Sequence, residues 1–282
     1  MNEKRAALIS LVLLIAAHTG NLAFASGDSI SVVVRKSAEV NSRDWQAQAG
    51  FSDIEREVKS KVDENGRAIS QQSKTYESMM IEGSPYRRLM AVNDEPLRGT
   101  QKADEEAKLV REIARRRDES TSERRARITK YNETRSEEHL LMQQMVSAFK
   151  FKLLGEEEVD GVSCYHLLAT PDPDYHPPVE KARVLTGMRG QMWIDEQQYH
   201  WVKVKAEVIE PVSFGFFIAR VKPGTEFDLL QAPVGDFWLP KRFAQKVNAS
   251  VLGIYGYRAQ QETYYSDYKQ SPLRQVGQSG SR

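Results

Sequence analysis

The sequence predicts an α+β protein built on one antiparallel sheet, with helices to one side and a charged helical insertion. Three observations predict it. Segments of alternating hydrophobicity recur along most of the chain, separated by Asn-Gly, Asp-Gly and Pro-rich turn signals. Residues 102–147 interrupt them with a run rich in Glu, Arg, Lys and Ala that holds no Gly or Pro. The clearest strand, Trp201 to Glu210, has an apolar face of Val202, Val204, Ala206 and Val208 and a charged face of Lys203, Lys205 and Glu207. A sheet with one dry face must be covered on that face.

The N-terminus reads as a targeting segment. Lys4 and Arg5 precede an apolar run from Ala6 to Ala17, which is short for a bilayer span. Ala23-Phe24-Ala25 has the small-x-small form of a cleavage site, so residues 1–25 are read as a cleaved signal peptide. An uncleaved membrane anchor is the alternative. The remainder is expected to be one domain over residues 26–270, with 102–147 as its insertion and 271–282 as a loose polar tail.

Ile30 to Ala49 has the mixed apolar spacing of an amphipathic helix ended by Gly50. Phe51 to Val62 alternates, with Ile54, Val58 and Val62 on one side and Glu55, Glu57, Lys59 and Lys61 on the other, the pattern of a half-buried strand. Asn65-Gly66 turns the chain into a return strand, Ile69 to Ile81, and a third, Pro85 to Val92, ends at Asn93-Asp94-Glu95-Pro96. The insertion divides into two helices near Ser120, where Ser120 and Glu123 have capping-box spacing. Its alternating charges suit a solvated helical surface, the other reading being a surface for a partner. Strands follow at Phe149–Leu154, Ser163–Ala169, Gly190–Asp195, Trp201–Glu210, Thr225–Gln231, Phe237–Lys246 and Ser250–Tyr265. Asp160-Gly161 and Asp195-Glu196 sit at hairpin turns, and Pro171-Asp172-Pro173 and Pro177-Pro178 mark a connecting loop.

Composition excludes some functions. With 40 Lys and Arg against 39 Asp and Glu, the chain has no electrostatic footprint for nucleic acid. A single cysteine, Cys164, rules out an internal disulfide, and its place in a strand suits a small buried residue. The histidines are scattered without metal-ligand spacing. No Gly-x-Ser-x-Gly elbow or phosphate loop appears. The expectation is a non-enzymatic protein with no metal and no cofactor. His200, beside Trp201 at a turn, reads as structural, and Tyr175-His176 near Asp172 and Asp174 is a weak candidate for a metal or acid–base site. Arg87-Arg88 beside Tyr86 reads as an edge-strand surface or a phosphate contact.

Two segments are candidates for binding. One is the apolar face of Val202, Val204, Ala206 and Val208. The other is the segment 210–219, in which Phe214, Phe216, Phe217 and Ile218 surround Gly215 after Pro211. That segment reads either as a plug at one end of the sheet or as a lid touching acyl chains or a membrane surface. Patterning leaves open whether helices fill the dry face or leave a hydrophobic cavity.

A series of short motifs resembles a known family. It runs through Ser84-Pro85-Tyr86-Arg87-Arg88-Leu89, the Glu/Arg-rich helical stretch, Leu154-Gly155-Glu156-Glu157, Gly190-Gln191-Met192-Trp193-Ile194-Asp195, Trp201-Val202-Lys203-Val204, Ile209-Glu210-Pro211-Val212-Ser213-Phe214-Gly215, Trp238-Leu239-Pro240-Lys241 and Tyr265-Ser266-Asp267-Tyr268. The series resembles bacterial outer-membrane lipoprotein-sorting protein-like chains, in the superfamily of the periplasmic lipoprotein carrier and its outer-membrane receptor. The resemblance implies a curved half-barrel whose concave face is partly closed by helices. It implies a periplasmic cavity for lipids or lipoprotein acyl chains, or, alternatively, an envelope-stress sensor or protein-interaction module with a filled core. The helical insertion is longer than anything in the compact carrier.

Overall fold

The computed structural model describes residues 29–63, 67–214, 219–251 and 255–271. Helix α1 (Ile30–Gln48) buries Val33, Val34, Ser37, Asn41 and Asp44. These lie at helical spacing on one face, apolar in the first half of the helix and polar in the second. Gly50 closes it by donating from its backbone to Ala47 O at 2.8 Å. The chain then meanders through β1 (Phe51–Val62), β2 (Ala68–Ile81), β3 (Ser84–Val92) and the two-residue β4 (Glu95–Pro96). Asn93 and Asp94, where the third strand is expected to end, take positive φ of 50° and 64° and bring Glu95 and Pro96 back against β3.

Helices α2 (Gly99–Arg117) and α3 (Thr121–Ala148) follow, and both halves of the capping box at Ser120 and Glu123 form, as their spacing predicts. The sheet resumes with β5 (Phe149–Val159), β6 (Val162–Pro171), a 3-10 helix at Glu180–Gly187, β7 (Met188–Asp195) and β8 (Trp201–Val208). It ends with β9 (Val212–Phe214), β10 (Ala219–Val221), β11 (Glu226–Val234), β12 (Phe237–Val251) and β13 (Tyr255–Gln270). Of the segment 210–219, read as a plug or lid, Val212–Phe214 forms β9 and Ala219 begins β10: Phe214 pairs with Ala219, and β10 extends the sheet along the end of β12.

Among the described residues, thirteen strands form one antiparallel sheet in the order β4-β3-β2-β1-β13-β12-β11-β8-β7-β6-β5, with β9 and β10 off that path. The last strand enters between the first and β12, so the first and last strands meet mid-sheet. Edges β4 and β5 stay apart. The sheet is therefore open and half-barrel-like, with helices packed against it, as the sequence predicts.

The helix-covered face of β5 to β8 is the apolar core. Val33 and Val34 of α1 pack with Leu167, Met192, Ile194 and Trp201, joined by Met145 and Val146 of α3. A neighbouring cluster gathers Ala148, Phe149, Ala169, Leu185, Met188 and Val208. Cys164, 0% exposed, belongs to a third cluster with Val159, Trp193, Val202 and Trp238. Burial pushes its thiol pKa up to about 12, so it behaves as a small core residue.

The other half of the sheet corrects one expectation. Strand β1 alternates as its sequence predicts, but its charged side is the more buried one: Asp53 and Glu57 are 9% and 8% exposed, whereas Ile54 and Val58 are only partly covered. Alternation fixes which residues share a face; what lies against that face decides which one is dry. Here Arg87 of β3 reaches across to Glu55 and Glu57, both at 2.6 Å, and supplies the charge that makes the acidic side buriable.

The insertion is largely solvent-facing, as its charges predict, but it is anchored at one buried point. Arg116 of α2 is 6% exposed. Its guanidinium donates to Glu112 and to the backbone oxygens of Ile81, Ser84 and Pro85 at 2.6 to 3.1 Å. Arg127 of α3 donates to Glu82 O, Ser84 Oγ and Glu119. The two arginines clamp the β2–β3 turn to the corner between α2 and α3. Gly83 is required in that turn. It has φ +87°, and a Cβ there would lie 3.1 Å from Ile128 of α3.

Candidate functional site

The apolar strand face of β8 is divided by a bulge. Trp193 pairs with Lys203, but Ile194 pairs with Trp201, so Val202 is an extra residue. Val202 therefore turns away from the other three candidates and packs with Trp193 and Trp238. The expectation that it shares a face with Val204, Ala206 and Val208 is corrected by that one-residue slip. Val208 is 1% exposed in the core. Val204 and Ala206 are half-buried at the margin of the core clusters.

From that margin the apolar face continues onto β11 and β12. Phe227 and Leu229 lie opposite Ala206 and Val204, and Phe243 and Gln245 lie opposite Leu229 and Phe227. Phe227, Leu229 and Phe243 are all half-buried, and the Phe227 and Phe243 rings stack with centroids 6.5 Å apart. Phe214 lies in β9 near the far end of β12. Phe216, Phe217 and Ile218 lie outside the described residues, as do residues 1–28, with the segment read as a signal peptide, and residues 272–282 of the tail.

Helix α1 is seated beside this strip by polar contacts. The buried Asp44 carboxylate lies 2.6 Å from His200 Nδ1, with side chains 1% and 2% exposed. His200 stacks on Trp238, and Trp201 Nε1 donates to Ser37 Oγ at 3.1 Å. On the α3 side, Ser42 bonds His139 at 2.7 Å, and His139 stacks on Trp45. Arg135 covers that indole at 3.7 Å. Burial, then the charge of Arg135, holds the His139 pKa below its usual value. The gap bordered by Ala38, Asn41, Ser42, His139, Met142, Gln143 and Trp201 is only about 10 Å³, so the seat of α1 is filled. His200 is structural, as its sequence context predicts.

Beyond the Cys164–Trp193–Val202–Trp238 cluster, the face away from these helices is wet. A recess of about 710 Å³ crosses β6 to β13, lined by Arg189, Gln191, Lys205, Glu207, Asp228, Arg242 and Glu262 among others. Its charges pair across strands: Arg189 with Glu207 at 2.6 Å, Arg242 with Asp228 at 3.6 Å and Lys246 with Glu226 at 3.1 Å. The ladder neutralises itself and keeps this face hydrated.

A second buried polar group lies on β1. Asp53 is pushed up to about 7, first by burial and then by the charge of Glu55, against the opposing pull of Ser78 and Arg87. Burial also raises Tyr265 to about 12 and Tyr268 further still, with neighbouring carboxylates adding to both. Arg87, read as an edge surface or phosphate contact, is committed to Glu55 and Glu57. Arg88 pairs with Glu77 at 2.5 Å. Tyr175 donates to Gln144 at 3.0 Å, and His176 is exposed with its ring against Asp174 O, so that loop brings no acid–base pair together. Among the described residues no cluster of His, Cys, Asp and Glu fits a metal ion. None of the described helices is long and apolar enough to cross a membrane.

The chain is similar to LolA-superfamily and lipoprotein-sorting structures. A Vibrio parahaemolyticus domain described as an outer membrane lipoprotein-sorting protein matches over 86% of this chain and 95% of that one, at 12% identity and TM-score 0.34. A LolA superfamily protein from Nitrosomonas europaea matches over 88% and 96%, at 9% identity and TM-score 0.33. The Mycobacterium tuberculosis lipoprotein LppX matches over 87% and 98%, at 10% identity and TM-score 0.28. No family model matches the chain, and no curated protein matches it.

Proposed function

We propose that the protein is an exported, non-enzymatic binding module that takes lipids or lipoprotein acyl chains on the apolar face of its open sheet, and works in the periplasm in outer-membrane lipoprotein sorting. One observation carries this reading. The apolar face extends past the helix-packed core as a strip of Val204, Ala206, Phe227, Leu229 and Phe243, which stays half-buried. A hydrocarbon chain laid along it gains about 0.8 kcal/mol per buried CH2. The signal-peptide pattern of residues 1–25 supports export, and the apolar composition of residues 214–218, which follow Ser213 in the sequence, supports contact with acyl chains. Val202 has no part in this surface.

The test is native mass spectrometry and organic extraction of protein purified from a periplasm. Acyl species should co-purify, and Leu229→Glu together with Phe243→Glu should deplete them about tenfold. Protein that carries no acyl species, and that fails to bind a fluorescent fatty acid, would sink the reading.

A second reading has its own support. The filled seat beneath α1 suits a protein-interaction or envelope-sensing module with a solid core, in which the exposed charges of α2 and α3 meet a protein partner. Arg111 and Arg125 are exposed and outside the clamp. Pull-down with Arg111→Glu and Arg125→Glu should lose that partner while the fold persists; retention of every partner argues against it.

A further inference from the structure

Strand β5 ends the sheet. Among the described residues it pairs with β6 on one side and with no strand on the other, so an edge of 11 residues presents unpaired backbone groups. Its charges are sorted along its length. Lys150 and Lys152 occupy the first half and Glu156, Glu157 and Glu158 the second, all exposed. Between them, Leu154 is the extra residue of a bulge and is 47% exposed: Leu153 pairs with Leu167, and Gly155 with His166.

Most charges elsewhere on this sheet find a partner within the chain. On β5, Lys150 reaches Asp172 at 3.1 Å, and Glu157 accepts from Trp193 Nε1 at 2.8 Å. Lys152, Glu156 and Glu158 have no ion pair among the described residues. The glutamate end carries a further uncompensated group. Glu196, whose backbone N–H bonds Ser163 O, buries an Oε1 that has no hydrogen-bond partner. Burial raises its pKa, and the charge of Glu156 raises it further. Among the described residues, Glu156 and Glu158 thus lack a cation at one end of the edge and Lys152 lacks an anion at the other.

We propose that β5 pairs antiparallel with β5 of a second copy of this chain, forming a two-fold dimer with Leu154 near its axis. An antiparallel copy sets the lysine half of each strand along the glutamate half of the other, and the two Leu154 side chains meet where the charges change sign. A two-fold interface must be self-complementary, which this charge order is. Backbone hydrogen bonds join the two sheets, and the cross-strand charges fix the direction. A parallel copy would place lysine beside lysine and glutamate beside glutamate, so the same charges that reject other strands select this one. This assembly goes beyond the binding function and stands independently of whether acyl chains bind.

The test is analytical ultracentrifugation of the mature chain at low and high salt. The wild type should be dimeric at about 100 μM and dissociate as salt screens the pairs. Lys150→Glu with Lys152→Glu makes the edge wholly acidic, and Glu156→Lys with Glu158→Lys makes it mainly basic. Each variant alone should weaken the dimer at least tenfold, and an equimolar mixture should restore a one-to-one heterodimer. Circular dichroism checks that both remain folded. Should either variant fail to fold, Leu154→Cys in the otherwise native chain reports instead: mild oxidation should link two copies, Cys164 being buried. A wild type that stays monomeric, variants that dimerise like the wild type, a mixture that fails to associate, or a Leu154→Cys chain that stays unlinked would each overturn the proposal.

Discussion

The two halves of this sheet are covered in opposite ways. Across β5 to β8 the helices press Val33, Val34, Met145 and Val146 onto Leu167, Met192 and Ile194, and the packing is apolar. Across β1 to β3 the buried side carries Asp53, Glu55 and Glu57 around Arg87, and the helices are attached through Arg116 and Arg127. One continuous ladder of hydrogen bonds therefore joins a region held by exclusion of water to a region held by directed polar contacts. Apolar packing is non-directional and tolerates sliding. The arginine clamp requires one geometry and fixes where the α2–α3 corner sits.

That contrast can be broken at its strongest point first. Ile194→Ala removes a side chain with 0% exposure from the apolar half. It should cost about 2–5 kcal/mol in denaturant unfolding, through lost burial and the cavity left behind. Arg116→Ala takes this donor from the carbonyls of Ile81, Ser84 and Pro85, while Glu112 keeps Arg115. It should cost roughly 2–3 kcal/mol, and Arg116→Lys should recover little, because an ammonium lacks the planar fork. If Arg116→Ala proves neutral, the ionic half is decoration on a sheet that the apolar half holds alone.

The pH dependence sharpens the same comparison. Asp53 has a folded pKa raised from 3.8 to about 7. The neutral form is the one the fold accommodates, so its contribution to stability is complete below pH 3.8 and is lost as pH rises toward and through 7. Thermal unfolding between pH 5 and 8 should show stability falling with rising pH, and Asp53→Asn should flatten that slope. An unchanged slope in Asp53→Asn would mean that this carboxyl is not the buried proton holder. The smallest effect belongs to the wet face. Arg189→Ala removes a half-exposed pair with Glu207 and should change stability by about 0–1 kcal/mol.

Much of the local structure was legible. The Ser120–Glu123 capping box, the strand periods and Cys164 as a small buried residue follow from residue chemistry that acts over a few positions. So does the structural role of His200, although its partner Asp44 lies 156 residues away and left no mark in the pattern. The β9–β10 hairpin was hidden because its strands are three residues each, too short for a period to register. The turn that brings Glu95 and Pro96 back onto β3 was hidden for the same reason.

What the sequence by itself determined is alternation, turn chemistry and caps, since each depends on neighbours along the chain. Which side of β1 is dry was decided only by tertiary structure, because Arg87 on another strand makes its carboxylates buriable. The bulge that sends Val202 to the opposite face from Val204 was decided there too. It arises from how β7 and β8 are held in register, and no alternation within one strand reports the register of two.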